Sequence, residues 1–89
     1  MLILDIEQKI TDHVRQILSL AHKSHSTVTS QQALIDEIGM DSLEIARLFI
    51  ALEDEFQVDP FAEEFSVGNI HTIADLTRIY SALLSRPAA

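Results

Sequence analysis

Cysteine is missing from this sequence, and its absence removes several kinds of chemistry at once. A chain without thiols has no disulfide framework, no thiolate zinc site and no cysteine nucleophile. Glycine and proline are scarce, with two of each in 89 residues, which argues against a turn-rich β protein and favours helices. We therefore expect one all-α domain over residues 1–89, with a single small core and little room for a deep active site.

Basic residues are also few, since six Lys and Arg stand against fourteen Asp and Glu, for a formal net charge of −8. Proteins that bind nucleic acid or anionic membranes need basic groups facing phosphates, so the charge disfavours both classes of partner. No apolar run approaches the roughly 20 residues of a membrane span, and the acidic start lacks the basic leader of a signal peptide. These shortages predict a soluble, cytoplasmic protein.

The acidic residues are concentrated in the middle of the chain. Residues 36–64 contain ten of them, and Arg47 is the only Lys or Arg in that stretch. Such a field attracts a basic partner and speeds its encounter, an effect that salt weakens. The same run of charge is also consistent with an ordinary solvated helical surface.

Hydrophobic periodicity predicts a small four-helix bundle with three longer helices, one short helix and a long first loop. Apolar residues recur every three to four positions over about 3–20, 41–56 and 72–85. The pair Asp59-Pro60 marks the start of a short helix over about 60–66, because Asp caps helices and Pro suits the first helical position.

The segments that precede the second and last helices carry further signals. Asp41 and Thr72 are each followed three places later by an acid, the pattern of a capping box. In the first loop, three aliphatic residues are too few for a long helix, and we expect them to insert into the core: Leu34, Ile35 and Ile38.

The second helix is apolar on two sides. Its inner stripe consists of Ile45, Leu48, Phe49, Leu52 and Phe56. Its second stripe consists of Leu43, Ala46 and Ile50, and it is flanked by Asp41, Glu44, Glu53 and Asp54. An apolar strip with a charged rim is typical of a surface that docks a partner. The alternative is a central helix that is buried nearly all round.

Ser42 lies in the first turn of this helix, where unpaired N–H groups and the helix dipole favour a phosphate. The run Ile38-Gly39-Met40-Asp41-Ser42-Leu43 resembles the attachment motif of the acyl carrier proteins. The resemblance continues at residues 51–56 and 72–76 and covers about residues 3–85. It is carried jointly by the glycine, the helix that follows, the length and the acidity.

The resemblance implies that Ser42 receives a 4′-phosphopantetheine arm from coenzyme A, donated by a separate phosphopantetheinyl transferase. The arm ends in a thiol that holds acyl groups as thioesters, so the protein would be a monomeric carrier and not an enzyme. It would present acyl intermediates to acyl-loading and acyl-processing enzymes of fatty-acid or specialised lipid or polyketide-type biosynthesis. Basic patches on these enzymes would dock on Asp41, Leu43, Glu44, Ala46, Arg47 and Ile50.

Two features depart from the family pattern. Arg47 stands where the family commonly has an acid, and it either pairs with Glu44 or tunes the carrier to particular partners. Phe61 and Phe65 make the segment after the second helix more aromatic than in housekeeping fatty-acid carriers. A specialised carrier is therefore at least as well supported as a housekeeping one.

Three other functions compete with that of a carrier. A serine hydrolase would need a base beside Ser42 and a Gly-x-Ser-x-Gly turn, which the sequence lacks. A metal site would need an EF-hand loop or a cluster of ligands with zinc spacing, and neither is found. A helical protein that only binds partners or dimerises would use the same stripe and acidity with Ser42 unmodified.

Overall fold

Three α-helices make up the computed structural model, which describes residues 2–23, 28–58 and 70–85. They are α1 (Ile3–Leu20), α2 (Ser42–Phe56) and α3 (Ile73–Leu84). The described residues contain no strand, only one isolated antiparallel bridge between Ala33 and Thr72. The all-α prediction is confirmed, and the helix ranges differ from the predicted ones by at most one residue at each end. The short helix predicted over 60–66, with its two phenylalanines, lies outside the described residues.

Capping boxes begin both α2 and α3, as the sequence predicts. Asp41 Oδ1 accepts from the backbone N–H of Glu44 at 2.8 Å, and Glu44 Oε1 accepts from that of Asp41 at 2.9 Å. Thr72 Oγ1 accepts from the N–H of Asp75 at 3.1 Å, and Asp75 Oδ2 accepts from that of Thr72 at 3.0 Å. Each box satisfies N–H groups that a helix start otherwise leaves unpaired, which fixes where the helix begins.

The core forms where α1 packs against both α2 and α3. Each helix contributes one apolar face, and the residues with no exposed surface include Ile6, Ile10, Leu48, Leu52, Leu76 and Tyr80. The rings of Phe56 and Tyr80 lie 5.0 Å apart between centroids and are tilted by 38°. Burial of each large side chain is worth about 1.5–3 kcal/mol, so these positions hold the bundle together. Within the described ranges, none of the helices is both long and apolar enough to cross a bilayer.

The loop before α2 is tied to the start of α3. Leu34 N donates to the carbonyl oxygen of His71 at 2.7 Å, and Ala74 N donates to that of Ser30 at 2.9 Å. The Leu34 side chain is buried, and Ile38 packs against the core at its edge, as expected. These contacts hold the segment that leads into Ser42.

The prediction that Ile35 inserts into the core is wrong, because 62% of this residue is exposed. The N–H groups of Glu37 and Ile38 both donate to the carbonyl oxygen of Ala33, so residues 33–38 form a tight turn. In such a turn Leu34 and Ile38, four residues apart, face the same side. Ile35 is directed away from that side and reaches solvent.

Asp75, at the start of α3, accepts three hydrogen bonds. Its Oδ2 accepts from the N–H groups of His71 and Thr72, and its Oδ1 accepts from Arg78 Nη2 at 2.7 Å. Burial acts to raise the pKa of the carboxyl, but the bonds from His71, Arg78 and Thr72 together lower the pKa of Asp75 below its ordinary 3.8.

This lowered pKa predicts a specific loss of stability in acid. The bonds of Asp75 stabilise the fold fully above the unfolded pKa, and the contribution is lost as the pH falls through the folded pKa. Urea unfolding below about pH 4 should therefore show a steeper decline for the wild type than for Asp75→Asn, which does not titrate. Parallel pH profiles for the two proteins would contradict this assignment.

Candidate functional site

Ser42 is the first residue of α2, and its side chain is exposed. The helix is capped by Asp41, so the Ser42 hydroxyl is not needed for capping. Among the described residues, this hydroxyl has no hydrogen-bond partner. The serine therefore combines a free hydroxyl with the positive end of a helix dipole, an arrangement suited to a covalently attached phosphate.

The two residues that precede the capping aspartate hold Ser42 in place. Met40 is buried, and its N–H donates to the carbonyl oxygen of Leu34 at 2.9 Å. Gly39 has φ +90°, a conformation that side chains with a Cβ rarely adopt, although a Cβ there would meet no atom within 4 Å. The glycine is thus required by the backbone turn and not by crowding.

Glu44 does not lie on the exposed rim of α2, where the sequence analysis placed it. Only 4% of the residue is exposed, because the capping box directs its carboxylate back toward the Asp41 N–H. Lys23, just after α1, reaches the same carboxylate, with Nζ 2.5 Å from Glu44 Oε1. The Lys23 ammonium also donates to the carbonyl oxygen of Gly39 at 2.9 Å.

The pairing of Arg47 with Glu44 that we considered is also wrong. Glu44 is turned inward to Lys23, whereas Arg47 is exposed to solvent. In the part of the chain that the structure describes, Arg47 makes no ion pair. A free cation therefore lies beside the second apolar stripe of α2.

That second stripe is exposed, as predicted. Leu43 is 60% exposed, Ile50 is 68% exposed, and Ala46 also faces solvent. The alternative in which α2 is buried nearly all round is therefore wrong. We call these three residues, Leu43, Ala46 and Ile50, the α2 stripe. Its exposed acidic neighbours are Asp41, Glu53 and Asp54.

A cavity of about 140 Å³ opens beside α2, on the side away from the α2 stripe. It lies between the first loop, α2 and the segment before α3, and it is mostly apolar. Its lining residues are Ala33, Leu34, Ile35, Asp36, Ile45, Phe49, Ile70 and His71. Ile45 follows Ser42 by one turn of the helix, so the cavity starts close to the serine.

The histidines and acidic residues that the structure describes are either paired with other side chains or scattered over the fold. His13 Nε2 lies 3.1 Å from Glu55 Oε1, and Lys9 Nζ lies 3.7 Å from Glu55 Oε2, where α1 meets the C-terminal end of α2. Over residues 2–23, 28–58 and 70–85, no group of three or more His, Asp or Glu side chains could hold a metal ion. His25 lies outside the described residues.

The known proteins to which this chain is similar are consistent with one another. A family model described as "Phosphopantetheine attachment site" matches residues 8–79. Acyl carrier protein 3 of Ralstonia nicotianae is 35% identical over 81 residues, which cover 89% of this chain and 91% of that protein. The acyl carrier protein of Buchnera aphidicola is 30% identical over 77 residues, which cover 85% of this chain and 95% of the relative.

A solved structure shares the fold. The solution structure of MacpD, an acyl carrier protein from Pseudomonas fluorescens involved in mupirocin biosynthesis, aligns with a TM-score of 0.82 at 26% identity. The alignment covers 98% of this chain and 77% of MacpD. Family match, relatives and fold agree with one another and with the motif around Ser42. The chain therefore belongs to the acyl carrier protein family, as a carrier and not an enzyme, with 4′-phosphopantetheine as its prosthetic group.

Proposed function

We propose that Ser42 carries the 4′-phosphopantetheine arm and that the protein presents acyl thioesters to enzymes of fatty-acid or specialised lipid or polyketide-type biosynthesis. The observation that carries this proposal is the exposed Ser42 hydroxyl at the start of α2, left free because Asp41 caps the helix. The prosthetic group supplies a terminal thiol on which acyl groups are held as thioesters.

The residues around Ser42 fit this role. A phosphodiester at the first residue of α2 lies in the positive field of the helix start. In the attachment step, a bond forms between Ser42 Oγ and the phosphorus of the pantetheine arm, and a P–O bond of the coenzyme A pyrophosphate breaks. The adenosine 3′,5′-bisphosphate leaves, and the serine proton passes to a base on the transferase. The cavity beside Ile45 and Phe49 offers an apolar recess for a carried acyl chain.

Intact-mass measurement tests the proposal directly. The protein is incubated with coenzyme A and a promiscuous phosphopantetheinyl transferase, and its mass should rise by one phosphopantetheine group. Peptide mapping should then place the added mass on the peptide that contains Ser42. An unchanged mass would favour the alternative of a helical protein that binds partners with an unmodified serine.

The α2 stripe is the surface that we propose for docking. Leu43 and Ile50 supply exposed apolar area, and Asp41 at the start of the helix supplies negative charge for a basic patch on the partner. The transferase and the acyl-loading and acyl-processing enzymes would use the same surface, so docking rates should fall as salt rises.

Arg47 is the residue that we propose distinguishes this carrier from a general fatty-acid carrier. It is an exposed cation that neighbours Leu43 and Ile50 on α2, and a basic partner patch would meet it with like-charge repulsion. The likeness to MacpD, a carrier involved in mupirocin biosynthesis, supports a specialised pathway. The relatives named simply acyl carrier protein name no pathway, so they do not distinguish this proposal from the fatty-acid alternative.

We expect Arg47→Glu to raise turnover with housekeeping fatty-acid enzymes and to lower it with the cognate partner. An exposed ion pair is worth about 0.2–1 kcal/mol, so kcat/KM should change by roughly two- to fivefold in each direction. Arg15→Glu is the matched control, since Arg15 is exposed on α1 and the same charge change occurs away from the α2 stripe. Equal effects of the two substitutions would show that turnover depends only on the net charge of the carrier.

A further inference from the structure

Lys23 bonds to both ends of the short segment that contains Ser42. Its Nζ donates to the carbonyl oxygen of Gly39 at 2.9 Å and to Glu44 Oε1 at 2.5 Å. The same carboxylate oxygen accepts from the N–H of Asp41 at 2.9 Å. One ammonium group therefore links the first and last residues of the segment over residues 39–44. It comes from a residue that lies 21 positions before Glu44.

Glu44 is nearly buried, so its carboxylate needs the Lys23 ammonium as a counterion. The Glu44 side chain is 6% exposed, whereas 37% of the Lys23 side chain remains in solvent. Glu44 Oε2 is buried and has no hydrogen-bond partner among residues 2–23, 28–58 and 70–85. Among the described residues, Lys23 supplies the one positive charge next to this carboxylate. Without it, a carboxylate that is nearly buried would lose its counterion, and the Gly39 carbonyl would lose its donor.

We propose that Lys23 is a positioning residue for the modification of Ser42, an inference that rests on the proposed function. By joining Gly39 to Glu44, Lys23 holds the serine between two fixed points and presents its hydroxyl to the transferase in one geometry. Lys23 pairs with Glu44, which is turned inward, whereas Leu43 and Ile50 of the α2 stripe face solvent. It therefore acts through the geometry of the segment and not through docking.

A positioning role and a purely electrostatic role predict different changes in kcat and KM for Lys23→Met. Removing a cation makes the protein more negative, so an electrostatic role would strengthen the encounter with a basic transferase and lower KM. A positioning role predicts that KM for the carrier stays near the wild-type value. It predicts that kcat falls, by up to about a hundredfold, because small misplacements of a reacting atom are costly.

The experiment measures kcat and KM of a phosphopantetheinyl transferase with the wild type, Lys23→Met, Lys23→Arg and Lys9→Met, at a temperature where all are folded. Lys9→Met is the matched control, since it removes the same charge from another ion pair with α2, the 3.7 Å contact to Glu55. We expect a low kcat for Lys23→Met alone and partial recovery in Lys23→Arg, which keeps the charge and its donors. A normal kcat for folded Lys23→Met would overturn the proposal.

The double variant Lys23→Met/Glu44→Gln separates positioning from stability. The neutral glutamine side chain needs no counterion and can still accept from the Asp41 N–H, so most of the Tm lost in Lys23→Met, about 5–10 °C, should return. The Gly39 carbonyl still lacks the hydrogen bond from Lys23, so kcat should stay low. Recovery of kcat together with Tm would overturn the positioning role. Failure of the wild type itself to be modified would instead overturn the proposed function.

Discussion

Ser42→Ala is expected to abolish the uptake of phosphopantetheine completely while the protein keeps its helical content. Alanine has no hydroxyl to attack the coenzyme A phosphate, and the capping box between Asp41 and Glu44 does not involve the serine side chain. Alanine is also a better helix former than serine, so α2 should begin at the same residue. Intact mass after incubation with the transferase and coenzyme A gives the first result, and circular dichroism gives the second.

Ser19→Ala provides the control for this experiment. Ser19 is an exposed helical serine near the end of α1, but it has neither a preceding Gly-x-Asp nor a helix start. The Ser19→Ala protein should gain the arm at the wild-type rate. A mass gain in Ser42→Ala would show that another serine or threonine is the attachment residue.

The two faces of α2 are expected to respond in opposite ways to truncation. Leu48 has no exposed surface, and Leu48→Ala removes methyl groups from the core and leaves a cavity, which costs about 2–5 kcal/mol. This is a large share of the roughly 5–15 kcal/mol that stabilise a typical domain. Urea unfolding should show a much lower midpoint, and the transferase KM of the folded protein should be unchanged.

Ile50→Ala is the matched truncation on the α2 stripe. Because Ile50 is 68% exposed, its loss should change the free energy of unfolding by no more than about 0.5 kcal/mol. Partner enzymes should bind the variant less tightly, since it removes apolar area from the surface proposed for docking. Equal losses of stability in Leu48→Ala and Ile50→Ala would contradict the assignment of the two faces.

Local patterns in the sequence were sufficient to predict the helices and the start of α2. The periodicity of apolar residues reports on one face of one helix, and a capping box spans only four residues, such as Asp41 to Glu44. The exposure of Leu43, Ala46 and Ile50 could be predicted for the same reason, because a small bundle has no second partner for that side of α2. These features depend on spacing within a single element.

The pairing of Glu44 with Lys23 could not be predicted, because it depends on the path of the loop between α1 and α2. Nothing in the spacing of Lys23 and Glu44 indicates that the two meet, and the nearer Arg47 was the natural partner on a helix. The capping box did contain a usable signal, since a Glu at its third position must turn back toward the helix start. The exposure of Ile35 was missed because aliphatic content alone does not show the turn at residues 33–38.

The hydrogen bonds that join the loop before α2 to the start of α3 also limit the order in which the surroundings of Ser42 can form. A chain is synthesised from its N-terminus, so residues 30–42 are joined to it before residues 71–74 exist. Until then Leu34 has no His71 carbonyl to donate to, and Ser30 has no Ala74 amide to accept from. In a nascent chain that does not yet include α3, these hydrogen bonds do not hold the loop that leads into Ser42. Ser42 acquires its finished surroundings only after ribosomal synthesis has passed residue 74.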